Sequence, residues 1–384
     1  MAARYVHVET IAAVRSRHEG EACGDTFVCH RESAGATLLL CDGLGHGIRA
    51  NVAATLCQAR LSGLLRAGYS LRRAFESIVA TMERGKGTEA PYSVFTALRI
   101  LNEGDATVLS YDMPGAVLLG DRHATALHSR PIAMGAATVM ESNCFLKPGE
   151  GVMLVSDGIT QAGLGRGMKD GWTLDGVARL ADRLLQEGCA MADLPERILK
   201  RAAEFGQGEV GDDCTVVTAL CRLGRTVTIF TGPPSDRASD RAVVDRFLGG
   251  DGWKVVCGGT TSAIVANRLG KKLAPPRDQG SLRAPPSYEL EGVDLVTEGT
   301  VTLNQVHNLL ETDPEEWDEA SGVTELLGLI RAADQVHFMV GQSINPASGH
   351  VSFRQQGILS RAGIVPLIAA KLEAAGKRVV MEKV

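Results

Sequence analysis

Three acidic clusters stand at the ends of apolar, strand-like runs in the first part of the chain. They are Cys41-Asp-Gly-Leu-Gly-His-Gly47, Ser156-Asp-Gly158 and Gly211-Asp-Asp-Cys-Thr215, and a fourth candidate, Gly24-Asp25, precedes Thr26-Phe-Val-Cys. One solvated carboxylate at a strand end costs little, but several converging carboxylates repel one another. Hard divalent cations relieve that repulsion, and an all-oxygen donor set suits manganese or magnesium. Zinc is a poor match, because His46 has no partner at ligand spacing. A glycine directly after the aspartate leaves the backbone carbonyl unshielded, so it can approach a metal. Two such ions about 3.5–4 Å apart can hold a bridging water, lower its pKa and clamp a phosphate for in-line attack. Taken singly, each strand-end Asp-Gly also reads as an ordinary turn.

Other chemistries find less support. The nine cysteines are odd in number and form no CxxC pair; several, such as Cys41 and Cys221, sit inside apolar runs. They read as buried free thiols in a reducing compartment, so a cytoplasmic protein is expected. Neither Cys23 nor Cys41 lies in a CxxxxxR loop, which argues against a thiolate phosphatase. Met1 to Thr10 lack the basic-then-apolar profile of a signal peptide, and no run of 18 apolar residues occurs. The formal charge of -5 and the absence of a long Lys/Arg run disfavour nucleic acid as a partner.

The 384 residues exceed one ordinary core, so two domains are expected. Aromatics make up 4% of the chain, which leaves core building to Ala, Val, Leu and Ile. Ala36 to Cys41 reads as a buried strand, followed by a helix over 48–65 with Val52, Leu56, Ala59 and Leu64 close to helical spacing. A second helix is expected over 71–83, then short strands at 92–101, 106–111 and 116–119. The turns Asn102-Glu-Gly-Asp and Met113-Pro-Gly suggest hairpins. A buried strand at 151–156, helices near 174–186 and 194–205, and a strand at 214–221 complete an α+β region of antiparallel sheets covered by helices.

From about residue 225 the pattern becomes strict βαβα alternation, which predicts a mostly parallel sheet with right-handed crossovers. A polar stretch from Leu273 to Tyr288 with two Pro-Pro pairs interrupts it. The boundaries drawn are 1–224 for the first domain and 225–384 for the second.

Asp42-Gly-Leu-Gly-His-Gly after ATLLLC, VMLVSDGITQA at 152–162 and GDDCTVVTALCR at 211–222 resemble, in order and spacing, the signature blocks of SpoIIE-like bacterial phosphatases. These belong to the metal-dependent (type 2C) protein phosphatase superfamily, and the resemblance covers residues 5–223. It implies an antiparallel β-sandwich flanked by helices with two Mn2+ or Mg2+ ions at one end. Asp42 would bridge both ions, Gly43 would offer its carbonyl, and Asp157 and Asp212 would complete the second site. Asp25 matches the family's early aspartate near the first ion. Asp212 is preferred to Asp213, since the family's pair ligates through its first member. Asp42, Asp157 and Asp212 are then the catalytic set. His46 is expected to support the turn rather than act as a general acid. Arg15 and Arg17 are candidates for the phosphate-binding arginine of eukaryotic-type relatives, but spacing selects neither.

The resemblance further implies hydrolysis of phosphoserine or phosphothreonine by metal-activated water, without a phosphoenzyme. Its usual partner is a phosphorylated regulatory protein, often an anti-sigma-factor antagonist. Many relatives place a sensor domain before the catalytic one, and none is evident here. A non-catalytic phosphoprotein-binding scaffold on the same fold is the alternative.

The motifs of the second region do not identify a family. Thr231-Gly-Pro-Pro-Ser-Asp and Cys257-Gly-Gly-Thr-Thr-Ser262 each follow a strand and open a helix. Glycines and helix-start N–H groups there suit a small anionic ligand; the alternative is a tight turn with an ordinary N-cap. Asp294 and Glu298 flank a further strand end. Neither loop fits GxxxxGK[ST] or GxGxxG. The region reads as regulatory or partner-binding.

Overall fold

The computed structural model describes residues 5–88, 90–206, 210–275, 285–313, 321–343 and 357–384. The chain folds as two compact units that part between Leu223 and Gly224.

The first unit begins with β1 (Val6–Arg15), β2 (Asp25–Glu32), β3 (Gly35–Gly43), α1 (Gly47–Arg66) and α2 (Leu71–Gly85). Strands β4 (Ser93–Leu101), β5 (Asp105–Tyr111), β6 (Val117–Leu119), β7 (Ala124–Ala126), β8 (Arg130–Met134), β9 (Ala137–Phe145) and β10 (Gly151–Val155) follow. It ends with α3 (Asp157–Thr160), α4 (Thr173–Gln186), α5 (Leu194–Phe205) and β11 (Cys214–Leu223). Two antiparallel sheets result, ordered β1-β11-β10-β6-β7 and β2-β3-β4-β5-β9-β8. This is the expected mixed α+β architecture, two antiparallel sheets with flanking helices.

Strand β3 shows why the sheets stack. Leu38 and Leu40 join a core with Val152, Leu154 and Val217 of the other sheet, while Leu39 and Cys41 pack with α1 and α2 residues such as Cys57, Leu61 and Phe75. Both faces of the strand are covered, so its run is apolar throughout rather than alternating. A third core, including Val155, Val177, Ile198 and Val216, seats α4 and α5 on the outer face of the first-named sheet.

Two sequence expectations change here. Asn102-Glu-Gly-Asp does join a hairpin, β4 to β5, but Met113-Pro-Gly does not. After it the chain leaves β5 and enters β6 in the other sheet. A proline turn stops a strand equally well at a hairpin and at a change of sheet. The helix over 47–66 forms, yet its core face is not the one given by Val52 and Leu56, which are 46% and 54% exposed. The buried face is Ala50, Ala53, Ala54, Cys57, Leu61 and Leu65. Small residues let α1 approach the sheet closely: a Cβ on Gly43 would lie 1.9 Å from the Ala50 carbonyl oxygen.

The second unit contains β12 (Thr226–Thr231), α6 (Asp240–Leu248), β13 (Trp253–Cys257), α7 (Gly259–Leu269), β14 (Ser287–Leu290) and β15 (Val293–Thr297). It continues through α8 (Thr300–Leu309), α9 (Gly322–Ala332), β16 (Gln335–Val340), α10 (Arg361–Ala374) and β17 (Arg378–Lys383). The sheet order is β14-β15-β13-β12-β16-β17, parallel except for the edge strand β14. Strands β13 and β15 lie on one side of β12, and β16 and β17 on the other. The order therefore reverses beside β12, which is the switch point where open α/β sheets bind ligands. The central part of the Pro-rich stretch, 276–284, lies outside the described residues. Among the described residues no helix is long and apolar enough to cross a membrane.

Candidate metal centre

Strand pairing gathers the acidic blocks. Asp25 opens β2 and pairs in register with Asp42 near the end of β3. In the other sheet Val155 pairs with Val216, and the Ser156 N–H donates to the Thr215 carbonyl at 3.0 Å. Asp157 and the Asp212-Asp213 pair therefore emerge from adjacent strand ends. Asp157 is the first residue of α3, where the helix dipole favours a carboxylate.

The electrostatics record the crowding. Burial, then the neighbouring Asp25 and Asp157, push the Asp42 carboxyl up to about 9. Asp25 is 5% exposed, and burial with the Asp213 and Asp157 charges lifts it to about 7. The Ser156 and Thr215 hydroxyls oppose that rise, yet neither reaches hydrogen-bond geometry: both Asp25 oxygens are buried without a partner among the described residues. Burial likewise raises Asp212, with Asp157 adding to it and the Arg17 charge pulling it back.

An orphaned buried carboxylate beside three others is unfavourable unless a cation compensates it. The donor set therefore fits a hard divalent ion. Among the described residues no three His, Cys, Asp or Glu side chains close in tightly enough to cage an ion unaided. The carboxylates still act on one another across the cleft, and Mg2+-like ions keep several waters that would span such gaps.

The two residues of the Asp212-Asp213 pair differ in what they touch. Asp213 accepts the Arg17 N–H at 2.8 Å and the Gly24 N–H at 2.7 Å, one on each carboxylate oxygen. It pins the segment between β1 and β2 against the start of β11. Asp212 accepts a hydrogen bond from its neighbour's N–H at 2.9 Å and remains half-buried, so its carboxylate is the less committed of the two. Gln161 Nε2 donates to Asp157 Oδ2 at 2.9 Å and orients it.

The supporting residues were partly visible in sequence. Ser156 and Thr215 lie within the acidic blocks; the Ser156 hydroxyl accepts the Thr215 N–H at 2.9 Å and clamps the two strand ends. Ser93, whose hydroxyl donates to the Asp42 carbonyl at 2.7 Å, and Asn51, whose amide donates to the Cys23 carbonyl at 2.7 Å, carry no local signal. His46 departs from expectation: its backbone occupies the N-cap of α1, but the ring makes no capping bond. The ring is largely exposed, 4.0 Å from Glu21 and edge-on to His18. Of the two arginine candidates, Arg17 is the one whose charge is felt at Asp212. Burial pushes the Cys23 thiol up to about 12, and the Cys57 thiol together with burial raises Cys41, which disfavours a thiolate at either. A cavity of about 190 Å³ adjoins the site, lined by Gly158, Gln161, Leu164, Arg166 and Asp212 among others.

Residues 32–222 match the family model described as Stage II sporulation protein E (SpoIIE). No curated protein matches the chain. Among solved structures, the chain is similar to the PP2C phosphatase domain with a regulatory-domain fragment of SpoIIE from Bacillus subtilis. The identity is 18% over 57% of this chain and 64% of that one, with a TM-score of 0.49. It is similar to the RsbU and RsbW domains of a Mycobacterium tuberculosis protein, at 17% identity over 64% and 68% of the two chains and a TM-score of 0.48. It is also similar to RsbX in complex with magnesium, at 16% identity over 56% and 96% and a TM-score of 0.41. The chain thus spans 64% of the first of these structures. These likenesses are distant, and the family match, which runs from the end of β2 to the end of β11, carries the assignment: the two-sheet unit belongs to the SpoIIE family.

Proposed function

We propose that the first unit hydrolyses phosphoserine or phosphothreonine on a regulatory partner protein. The observation that carries this reading is the buried, unpartnered Asp25 carboxylate beside Asp42, Asp157 and Asp213, with Asp212 acting in turn on Asp42. Asp42, Asp157 and Asp212, with Asp25 and the Gly43 carbonyl, would hold two Mn2+ or Mg2+ ions. When bound, such ions activate water at neutral pH and neutralise charge developing on phosphorus.

The chain's own residues do the rest. Asp213 fixes the backbone of the segment that carries Arg17 and Gly24, and the Arg17 guanidinium would act from it as a phosphate clamp. Arg17 rather than Arg15 takes that role because its charge reaches Asp212. Gln161 holds Asp157 in place, and Ser156 locks the two strand ends against the drift that carboxylate repulsion would cause. The partner is a phosphorylated protein of the anti-sigma-factor-antagonist type, a reading that rests on the family.

The test is release of phosphate from p-nitrophenyl phosphate and from a phosphoserine peptide with Mn2+, with Mg2+ and with EDTA. Metal-dependent turnover, lost with EDTA and reduced at least about thousandfold in Asp42→Asn and Asp157→Asn, is the expected result. Turnover unchanged in either purified variant would sink the site assignment. No turnover with either metal would favour a phosphoprotein-binding scaffold.

A further inference from the structure

The second unit holds a cavity of about 270 Å³ at the carboxyl ends of its parallel strands. It lies beside the switch point, bordered by the segments after β12, β13 and β15. Two helices start there, α7 after Gly258 and α8 after Gly299, each running ten residues or more. Their starts almost touch: a Cβ on Gly299 would lie 3.3 Å from the Gly258 Cα, and Gly258 itself has φ of 117°, which suits glycine alone. The first intrahelical bonds run from Ser262 N–H to the Gly258 carbonyl and from Leu303 N–H to the Gly299 carbonyl. The N–H groups of Gly259, Thr260, Thr261, Thr300, Val301 and Thr302 therefore have no acceptor within their own helices.

Two further observations bear on what the cavity could hold. Thr261, which lines it, is 1% exposed, and its hydroxyl has no hydrogen-bond partner among the described residues. A buried hydroxyl left unpaired is unfavourable unless something in the cavity engages it. Arg361, which also lines the cavity, sends one guanidinium nitrogen to the Thr231 and Gly341 carbonyls at 3.2 and 3.0 Å. The remainder of its fork has no acceptor among the described residues. Gly232 makes room for that fork, since a Cβ there would lie 0.8 Å from Arg361 Nη1. The donors are converging helix-start N–H groups, a hydroxyl and a guanidinium; the one lining carboxylate, Glu298, is exposed.

We propose that this cavity binds the phosphate group of a small phosphate ester, seated between the starts of α7 and α8. The phosphate takes the N–H groups of the α7 first turn and the Thr261 hydroxyl, and the free side of the Arg361 fork neutralises it. Glu298 at the rim accepts hydroxyls of the ester's organic part. The site is separate in composition from the carboxylate cluster and needs no metal.

The experiment is titration of the full chain in EDTA with inorganic phosphate and with AMP, followed by calorimetry and by 31P line broadening. Saturable binding with a dissociation constant below about 1 mM for at least one probe is expected. It should persist in Asp42→Asn, because the carboxylate cluster takes no part. Thr260→Glu puts a carboxylate into the exposed first turn of α7, where the helix dipole tolerates it, so the variant should fold while weakening phosphate by roughly tenfold or more. Thr261→Val keeps the side-chain shape and should weaken binding by roughly threefold to tenfold. Binding that disappears in Asp42→Asn but survives Thr260→Glu would overturn the proposal. So would no binding of either probe up to about 10 mM, or tighter binding of acetate than of phosphate.

Discussion

The two units of this chain place the same loop grammar at the ends of their strands and give it opposite electrical character. In the first, Asp42-Gly43 closes β3 before α1, and Asp157 opens α3 directly after β10. In the second, Gly258-Gly259 joins β13 to α7, and Gly299 joins β15 to α8. A glycine turn from strand to helix presents N–H groups and a close backbone in either case. The side chains decide the rest. Four aspartates make the first site one that repels itself without cations, whereas Thr261 and Arg361 leave the second with donors in excess. Glycine motifs alone therefore predict a site's position better than its charge.

If glycines in both units serve close packing, filling them should be the most damaging change. A Cβ on Gly43 would lie 1.9 Å from the Ala50 carbonyl oxygen, and one on Gly341 would lie 2.1 Å from that of Gly232. Gly43→Ala and Gly341→Ala should each lower stability by about 3 kcal/mol in urea unfolding. Gly43→Ala should also reduce phosphatase turnover, since it displaces the strand end carrying Asp42, while Gly341→Ala should spare turnover per folded molecule. Equal activity losses in the two variants would erase the distinction drawn between the units.

A second contrast is the response to pH without metal. A carboxylic acid whose folded pKa lies above its unfolded value contributes stability while protonated and loses it once the folded form ionises. Asp25 rises from 3.8 to about 7 and Asp42 from 3.8 to about 9. Their contribution is complete below about pH 4 and is lost as pH climbs through about 7 and then about 9. The melting temperature in EDTA should fall across that window, and Mn2+ should restore it by taking the place of the protons. Asp42→Asn should flatten the upper part of the decline. A melting curve that rises with pH in EDTA would contradict the crowding described for the site.

Arg17 tests the side of the first site that binds anions. Removing a clamp on phosphate should raise KM for a phosphoserine peptide about tenfold, equivalent to about 1.4 kcal/mol, with a smaller change in kcat. Arg15→Ala should change neither much. The reverse pattern would move the clamp to the end of β1.

The sequence made the acidic blocks legible because each carboxylate sits beside its glycine within a few residues of an apolar strand. Ser156 and Thr215 lie inside those blocks, but the bond between them joins residues 59 apart and nothing local announced it. Strand β1 was not read: VHVETIAAVR breaks its alternation halfway, and its pairing with β11 is a contact between opposite ends of the unit. Ser93 and Asn51 were missed because their partners, the Asp42 and Cys23 carbonyls, are backbone groups 51 and 28 residues away. In the second unit the alternation gave the parallel sheet, but edge strand β14 was hidden in a stretch that reads as polar and Pro-rich. The role of Arg361 was invisible as well, because its partners, the Thr231 and Gly341 carbonyls, are also backbone groups, 130 and 20 residues away.

The smallest expected effect concerns the face of α1, where sequence spacing and structure disagree most directly. Apolar residues four apart, Ile48, Val52 and Leu56, form a stripe that hydrophobicity alone would turn inward, yet they are 75%, 46% and 54% exposed. The inward face instead carries Ala50, Ala53 and Ala54, which bury little apolar area but let the helix backbone reach Gly43. Val52→Ser should therefore change stability by no more than about 0.5 kcal/mol, as at an ordinary surface position. Leu61→Ala, nine residues along the inward face, should cost about 2–5 kcal/mol. A loss of that larger size at Val52 would mean that α1 is rotated by nearly half a turn from its position here. Gly43 would then face bulkier side chains than it can accommodate, and the close approach that sets Asp42 at the mouth of the acidic site would not exist.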